Sequence, residues 1–247
     1  SLLDNRKGGL TRLGAFDPAE RSHALDLFGF EMQWVLPTFS FHQVAHLEDP
    51  DSLEAGAITL NKAMGDFCSH DSRLKATGYL PLRLGSERSL KLLKQGFDDG
   101  CYSFMVDTNQ PNDKAFSFTH PAYDPIWAEF QKRGIPVALH VAANGDYEAV
   151  SPSFKNNGKS EVAVGGDAPS GELGLFTIGS SAQIFLAAMV FDGIFERHPN
   201  LTVISMEHGA TWLPSWLRQL DFTAAMLKRL RKFSELPSET AKKHIKV

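Results

Sequence analysis

Cysteine is scarce in this chain. Its 247 residues hold two, Cys68 and Cys101, too few for a disulfide framework, and no CxxC spacing occurs, so a reduced, cytoplasmic setting is expected. There is no GxGxxG after the first strand-like run and no GxxxxGK[ST] anywhere, which removes the usual nucleotide-binding signatures. Positive charge is not in excess either. The net charge of -4 and pI near 6.1 leave no electrostatic footprint for nucleic acid or an anionic membrane. No apolar run reads as long enough to span a bilayer, and the opening Ser-Leu-Leu-Asp-Asn-Arg-Lys is no signal peptide. An initiator methionine is missing, so the true start is expected upstream. No short repeat or low-complexity tract breaks the composition. A soluble protein acting on small molecules is what remains.

The stretch around which the chain is organised is Ile135-Pro-Val-Ala-Leu-His140-Val-Ala-Ala-Asn-Gly145. Its apolar residues run on without alternation between two glycines, which suits a parallel strand covered on both faces. A histidine at the carboxyl end of such a strand sits where α/β sheets and barrels place their chemistry. The same order recurs at Leu201-Thr-Val-Ile-Ser-Met-Glu207-His208-Gly209. Glu207 could face the site, but alternation along a strand favours the opposite face from His208, toward a helix contact.

In chain order, Asp17 as N-cap, Pro18 at the first position and Glu20 behind them start a helix that ends at Gly29. Glu31 to Pro37 reads as a strand, and Thr38 to Asp51 as the loop after it, carrying Phe39, Phe41, His42 and His46. A helix from about Leu53 to His70 precedes a strand at Lys75 to Leu82. A helix from Glu87 to Phe97, a strand at Cys101 to Asp107, a long loop and a helix from Tyr123 to Arg133 lead to the His140 strand. Asn144 to Gly174 reads as a polar, mobile excursion over the site or as a disordered surface loop. A helix from Ser180 to Arg197, the His208 strand, a helix from Trp212 to Lys232 and the beginning of another strand near Ile245 complete the series. Strand and helix alternate with no composition break, so the sheet is mostly parallel with right-handed crossovers, in a barrel or an open doubly wound sheet.

Five segments in this order, Trp34-Val-Leu-Pro-Thr38, Gly78-Tyr-Leu-Pro-Leu82, His120-Pro to Trp127, Gly134 to His140 and Pro199-Asn-Leu to Glu207-His208-Gly209, resemble the amidohydrolase-related family. The branch they are most similar to contains aminocarboxymuconate semialdehyde decarboxylase and the resorcylate decarboxylases. The resemblance implies an α/β fold of the (β/α)8 TIM-barrel type, present as a single partial domain over residues 1–247. Counted on the family plan, the strands are the second to the sixth, with a seventh beginning at His244-Ile-Lys-Val247. It implies one divalent metal, zinc before manganese, held by a His-x-His or Glu-x-His pair on the first strand, a histidine ending the fifth and an aspartate ending the eighth. On that plan His140 is the metal ligand of the fifth strand and His208 the catalytic histidine of the sixth. Neither the paired ligands of the first strand nor the aspartate of the eighth occurs here.

The expected function is metal-dependent hydrolysis or non-oxidative decarboxylation of a small carboxylate, an aromatic or unsaturated acid. A divalent ion acidifies a water or polarises a substrate oxygen, and a histidine of ordinary pKa near 6.5 moves a proton at neutral pH. Phe39 and Phe41 could line the substrate pocket or pack beneath a loop. Arg6 and Arg12 could reach a substrate carboxylate. His42 and His46 have helical metal-binding spacing but no accompanying glutamate, and Asp107 and His120 read as structural. The alternative is a barrel without catalysis that serves as a binding or assembly module. Unpaired sheet edges make a homo-oligomer the expected state.

Overall fold

The computed structural model describes residues 13–109, 114–141, 143, 149–160 and 171–247. Arg6 and Arg12 lie outside these residues, as does much of the excursion after His140. The strands are β1 (Gln33–Val35), β2 (Leu74–Leu80), β3 (Ser103–Val106), β4 (Val137–His140), β5 (Val203–Met206) and β6 (Ile245–Lys246). The helices are α1 (Pro18–Phe28), α2 (Thr38–Ala45), α3 (Pro50–Cys68), α4 (Ser86–Asp98), α5 (Asp124–Arg133), α6 (Pro152–Lys155), α7 (Gly171–Phe176), α8 (Ser180–Phe191), α9 (Ile194–Arg197), α10 (Leu213–Leu227) and α11 (Pro237–His244). Along the sheet the order is β1-β2-β3-β4-β5-β6, and β1/β2, β3/β4, β4/β5 and β5/β6 pair in parallel. These six parallel strands follow the neighbour order of a (β/α)8 barrel.

By their internal contacts the residues fall into two compact units. The first covers the chain up to Tyr79 together with Lys91–Phe104, the second Leu80–Leu90 together with Met105–Val247. In the first, Asp17 caps α1 by accepting from the Ala19 and Glu20 amides, and Gly29 closes it in the left-handed conformation. Asp49 and Pro50 start α3 in the same manner. Leu25, Val35, Cys68, Leu74 and Ala76 form the core there. Buried Asn61 from α3 accepts from the Tyr79 amide at 2.7 Å and donates to the Tyr79 carbonyl at 3.0 Å, pairing strand backbone with a side chain. Gly65 is required by closeness, since a Cβ there would lie 1.8 Å from the Asp99 carbonyl oxygen.

In the second unit, β4 is buried at every position and β5 at alternate ones. Trp127 is fully buried and donates to the Phe118 carbonyl at 3.1 Å. Arg197 grips both Asp124 oxygens at 2.9 and 3.1 Å and donates to the carbonyls of Asp192 and Thr119 at 2.8 Å each. His198 lies beside the same carboxylate, its Nε2 3.2 Å from Asp124 Oδ1.

Several elements depart from the sequence expectation. Thr38–Ala45 is helix, not loop; Pro37 offers it no side-chain cap, and its anchor is Phe41 against Tyr79. The helix expected from Ser180 to Arg197 breaks at Gly193, whose φ of 74° is left-handed. The helix expected to reach Lys232 ends at Leu227, and the segment before the last strand is helical over Pro237–His244. Gly171–Phe191 proves apolar and long enough, by composition, to cross a membrane, contrary to expectation. A turn at 177–179 splits it, and Phe185, Leu186 and Met189 are buried as in a core helix.

Candidate active site

The second unit brings the two strand-end histidines together. The β4/β5 register sets His140 opposite Met206, so the residues that follow β5 lie beside the end of β4. His140 is 4% exposed. Its Nδ1 lies 2.8 Å from the Val141 carbonyl oxygen. A carbonyl can only accept, so Nδ1 carries the hydrogen, and whenever the ring is neutral it is Nε2 that presents the lone pair, the form in which imidazole binds a metal.

His208 is held by Ser205, whose Oγ is 3.0 Å from its Nδ1. Burial pushes the His208 pKa down to about 4, with the neighbouring His140 adding a smaller push in the same direction. The ring is therefore neutral at physiological pH and a weaker base than a free imidazole. Gly179, just ahead of α8, comes close to His208, where an added Cβ would meet the His208 Cβ at 3.5 Å.

Sequence reasoning weighed Glu207 and set it aside. Its Oε2 is 3.4 Å from His140 Nε2, whereas strand alternation had turned it toward a helix. The reason is local. β5 ends at Met206, and Glu207 adopts a φ of 61°, the only positive value for a non-glycine among the described residues. Alternation does not extend into that conformation. A carboxylate and a basic residue following a strand were visible in the sequence, but the backbone turn that aims the carboxylate was not.

The other candidates have the following local surroundings. Phe41, in the first unit, is 2% exposed and meets Tyr79 edge-on at 4.9 Å, so it serves that unit's core. Phe39 belongs to α2, with its side chain outside the described set. The rings of His42 and His46 lie 4.3 Å apart, tilted by 55°, on helix α2 and its C-cap where the sequence suggested a loop. Buried Asp107 accepts from the Arg83 amide at 3.2 Å, and His120 caps a turn by accepting from the Ala122 amide at 3.1 Å; both are structural in these contacts. Among the described residues no group of three or more His, Cys, Asp or Glu side chains is placed to hold a metal. The donors that are present, an imidazole Nε2 and a facing carboxylate, nevertheless fit a divalent ion chemically.

Parallel strands in chain order, with histidines ending β4 and following β5, define an α/β chain of the (β/α)8-barrel type. The chain belongs to the amidohydrolase family, whose sequence model matches residues 11–238. Among solved structures it is similar to an amidohydrolase from Mycobacterium avium subsp. paratuberculosis K-10, with 20% identity and a TM-score of 0.74 over 93% of this chain and 57% of that one. It is also similar to 2,6-dihydroxybenzoate decarboxylase from Rhizobium, with 17% identity and a TM-score of 0.67 over 91% of this chain and 67% of that one. A third likeness is to 5-carboxyvanillate decarboxylase from Novosphingobium aromaticivorans, solved with manganese and 4-hydroxy-3-methoxy-5-nitrobenzoic acid. There the identity is 18% and the TM-score 0.65, over 92% of this chain and 60% of that one. The chain thus spans about three fifths to two thirds of the length of these structures. No curated protein matches it in sequence.

Proposed function

We propose that this chain forms most of a metal-dependent hydrolase or non-oxidative decarboxylase acting on a small aromatic or unsaturated carboxylate, within a single barrel domain. The observation that carries the reading is the pair of fixed imidazoles at neighbouring strand ends. His140, with Nδ1 donated to Val141, turns a lone pair outward to hold a divalent ion, and His208, with Nδ1 tied to Ser205, takes or returns a proton. The ion supplies charge to stabilise the substrate's oxygens during reaction. Manganese gains support over zinc from the decarboxylase with manganese bound, and aromatic acids gain support from the same likeness.

The test combines elemental analysis of the purified protein with a panel of hydroxybenzoates assayed for carbon dioxide release and of amides and esters assayed for hydrolysis. About one zinc or manganese per chain is expected, lost in His140→Ala, with His208→Asn retaining the metal while its turnover falls by roughly 10²–10⁴-fold. A metal-free, inactive parent would refute the reading. A second reading, a binding or assembly module without catalysis, is favoured by the absence of a three-donor cluster among the described residues.

A further inference from the structure

We infer that Glu207 is a ligand for a divalent cation, sharing one ion with His140. The inference rests on the reading of His140 as a metal-binding residue, and adds a second protein donor that the family resemblance did not supply.

Distance is the first argument. His140 Nε2 and Glu207 Oε2 are 3.4 Å apart, longer than the ~2.7–2.9 Å of a hydrogen bond between a cationic N–H and a carboxylate. Two donors bound to one tetrahedral zinc, with metal bonds of about 2.0–2.2 Å, stand roughly 3.4 Å from each other. Proton placement is the second. Because Nδ1 donates to Val141, a neutral His140 turns a lone pair, not a hydrogen, toward Glu207. Two electron pairs facing each other at this distance repel unless positive charge lies between them, which a proton on Nε2 or a divalent cation supplies; the 3.4 Å separation is long for the hydrogen bond a proton would make and matches two donors on one ion.

The backbone gives the third argument. Glu207 at φ 61° occupies the left-handed region, at a cost of about 1–2 kcal/mol for an ordinary residue. Strain of this kind persists where the surroundings enforce it, and it clusters at functional sites. Here it has one visible result. It swings a side chain that strand alternation would send away onto the side where His140 ends β4. The exposures agree with capture from solution. The His140 side chain is 3% exposed and fixed, and that of Glu207 is 63% exposed, free to close over an arriving ion.

The experiment titrates cobalt(II), and then zinc(II), into the chelator-stripped chain with its native termini, following cobalt ligand-field absorption and calorimetric heat. Parent protein, His140→Ala, Glu207→Gln and Glu207→Gly are compared, with circular dichroism confirming the fold of each. Glycine accepts the left-handed backbone, so Glu207→Gly removes the carboxylate without adding strain. The parent is expected to bind one ion, His140→Ala to lose binding, and both Glu207 variants to bind at least about 10-fold more weakly with an altered cobalt spectrum. Parent-like affinity and spectrum in both Glu207 variants, alongside loss in His140→Ala, would overturn the inference and leave the metal reading standing. No binding by the parent, or undiminished binding by His140→Ala, would overturn both.

Discussion

His208 stays neutral because its native surroundings offer a proton too little solvation, and that has a measurable cost. Its pKa falls from 6.5 to about 4 on burial. Below about pH 6.5 the unfolded chain takes up a proton that the native ring refuses until near pH 4, so the stability present above pH 6.5 drains away across that window. Melting temperature should therefore fall more steeply between pH 6.5 and 4 in the parent than in His208→Gln, and parallel curves would show that the ring is not buried. The cysteines are shifted the other way, with burial raising Cys68 to about 11 and Cys101 to about 12. Both should resist a disulfide-exchange reagent at pH 8 in the native protein and react at once in denaturant; prompt native labelling would contradict their burial. At this scale the two histidines were legible because each closes an apolar run before a glycine. Glu207 was not, because a single dihedral angle beyond the strand decides its direction.

Helices that carry their own punctuation were readable, and those held by neighbours were not. The Asp17-Pro18 start and Gly29 stop of α1 are written in the sequence. Helix α2 has neither cap, and it exists because Phe41 and Ala45 are buried, a tertiary fact that overrides local signals. The ends of α5 and α9 are tied by a feature that no local pattern announced, the grip of Arg197 on Asp124 and two carbonyls. Arg197→Ala leaves Asp124 with His198 alone beside it and removes a donor from two carbonyl groups, so a loss of roughly 1–2 kcal/mol is expected in urea unfolding. Arg197→Lys should recover only part of this, because an ammonium keeps the charge without the planar fork. Equal stability of Arg197→Ala and the parent would show that the network contributes nothing.

For the molecule as a whole, the alternation of strands and helices gave the parallel order, while surface character stayed hidden until side chains had places. Phe222 and Met226 lie one turn apart on α10, 66% and 69% exposed, and Leu230 beyond them is 86% exposed. An apolar row of this kind in contact with water favours self-association. Sedimentation at increasing concentration should show the chain forming oligomers, and Phe222→Lys with Met226→Glu should shift it toward the monomer; a parent that stays monomeric throughout would reject this. The sheet also carries an order in time. Gln33 pairs with Leu74, Val137 with Val203 and Val203 with Ile245, so each strand joins the one translated just before it. A ribosome releasing this chain always delivers the new strand to a partner already in place, and the sheet can lengthen at the pace of synthesis.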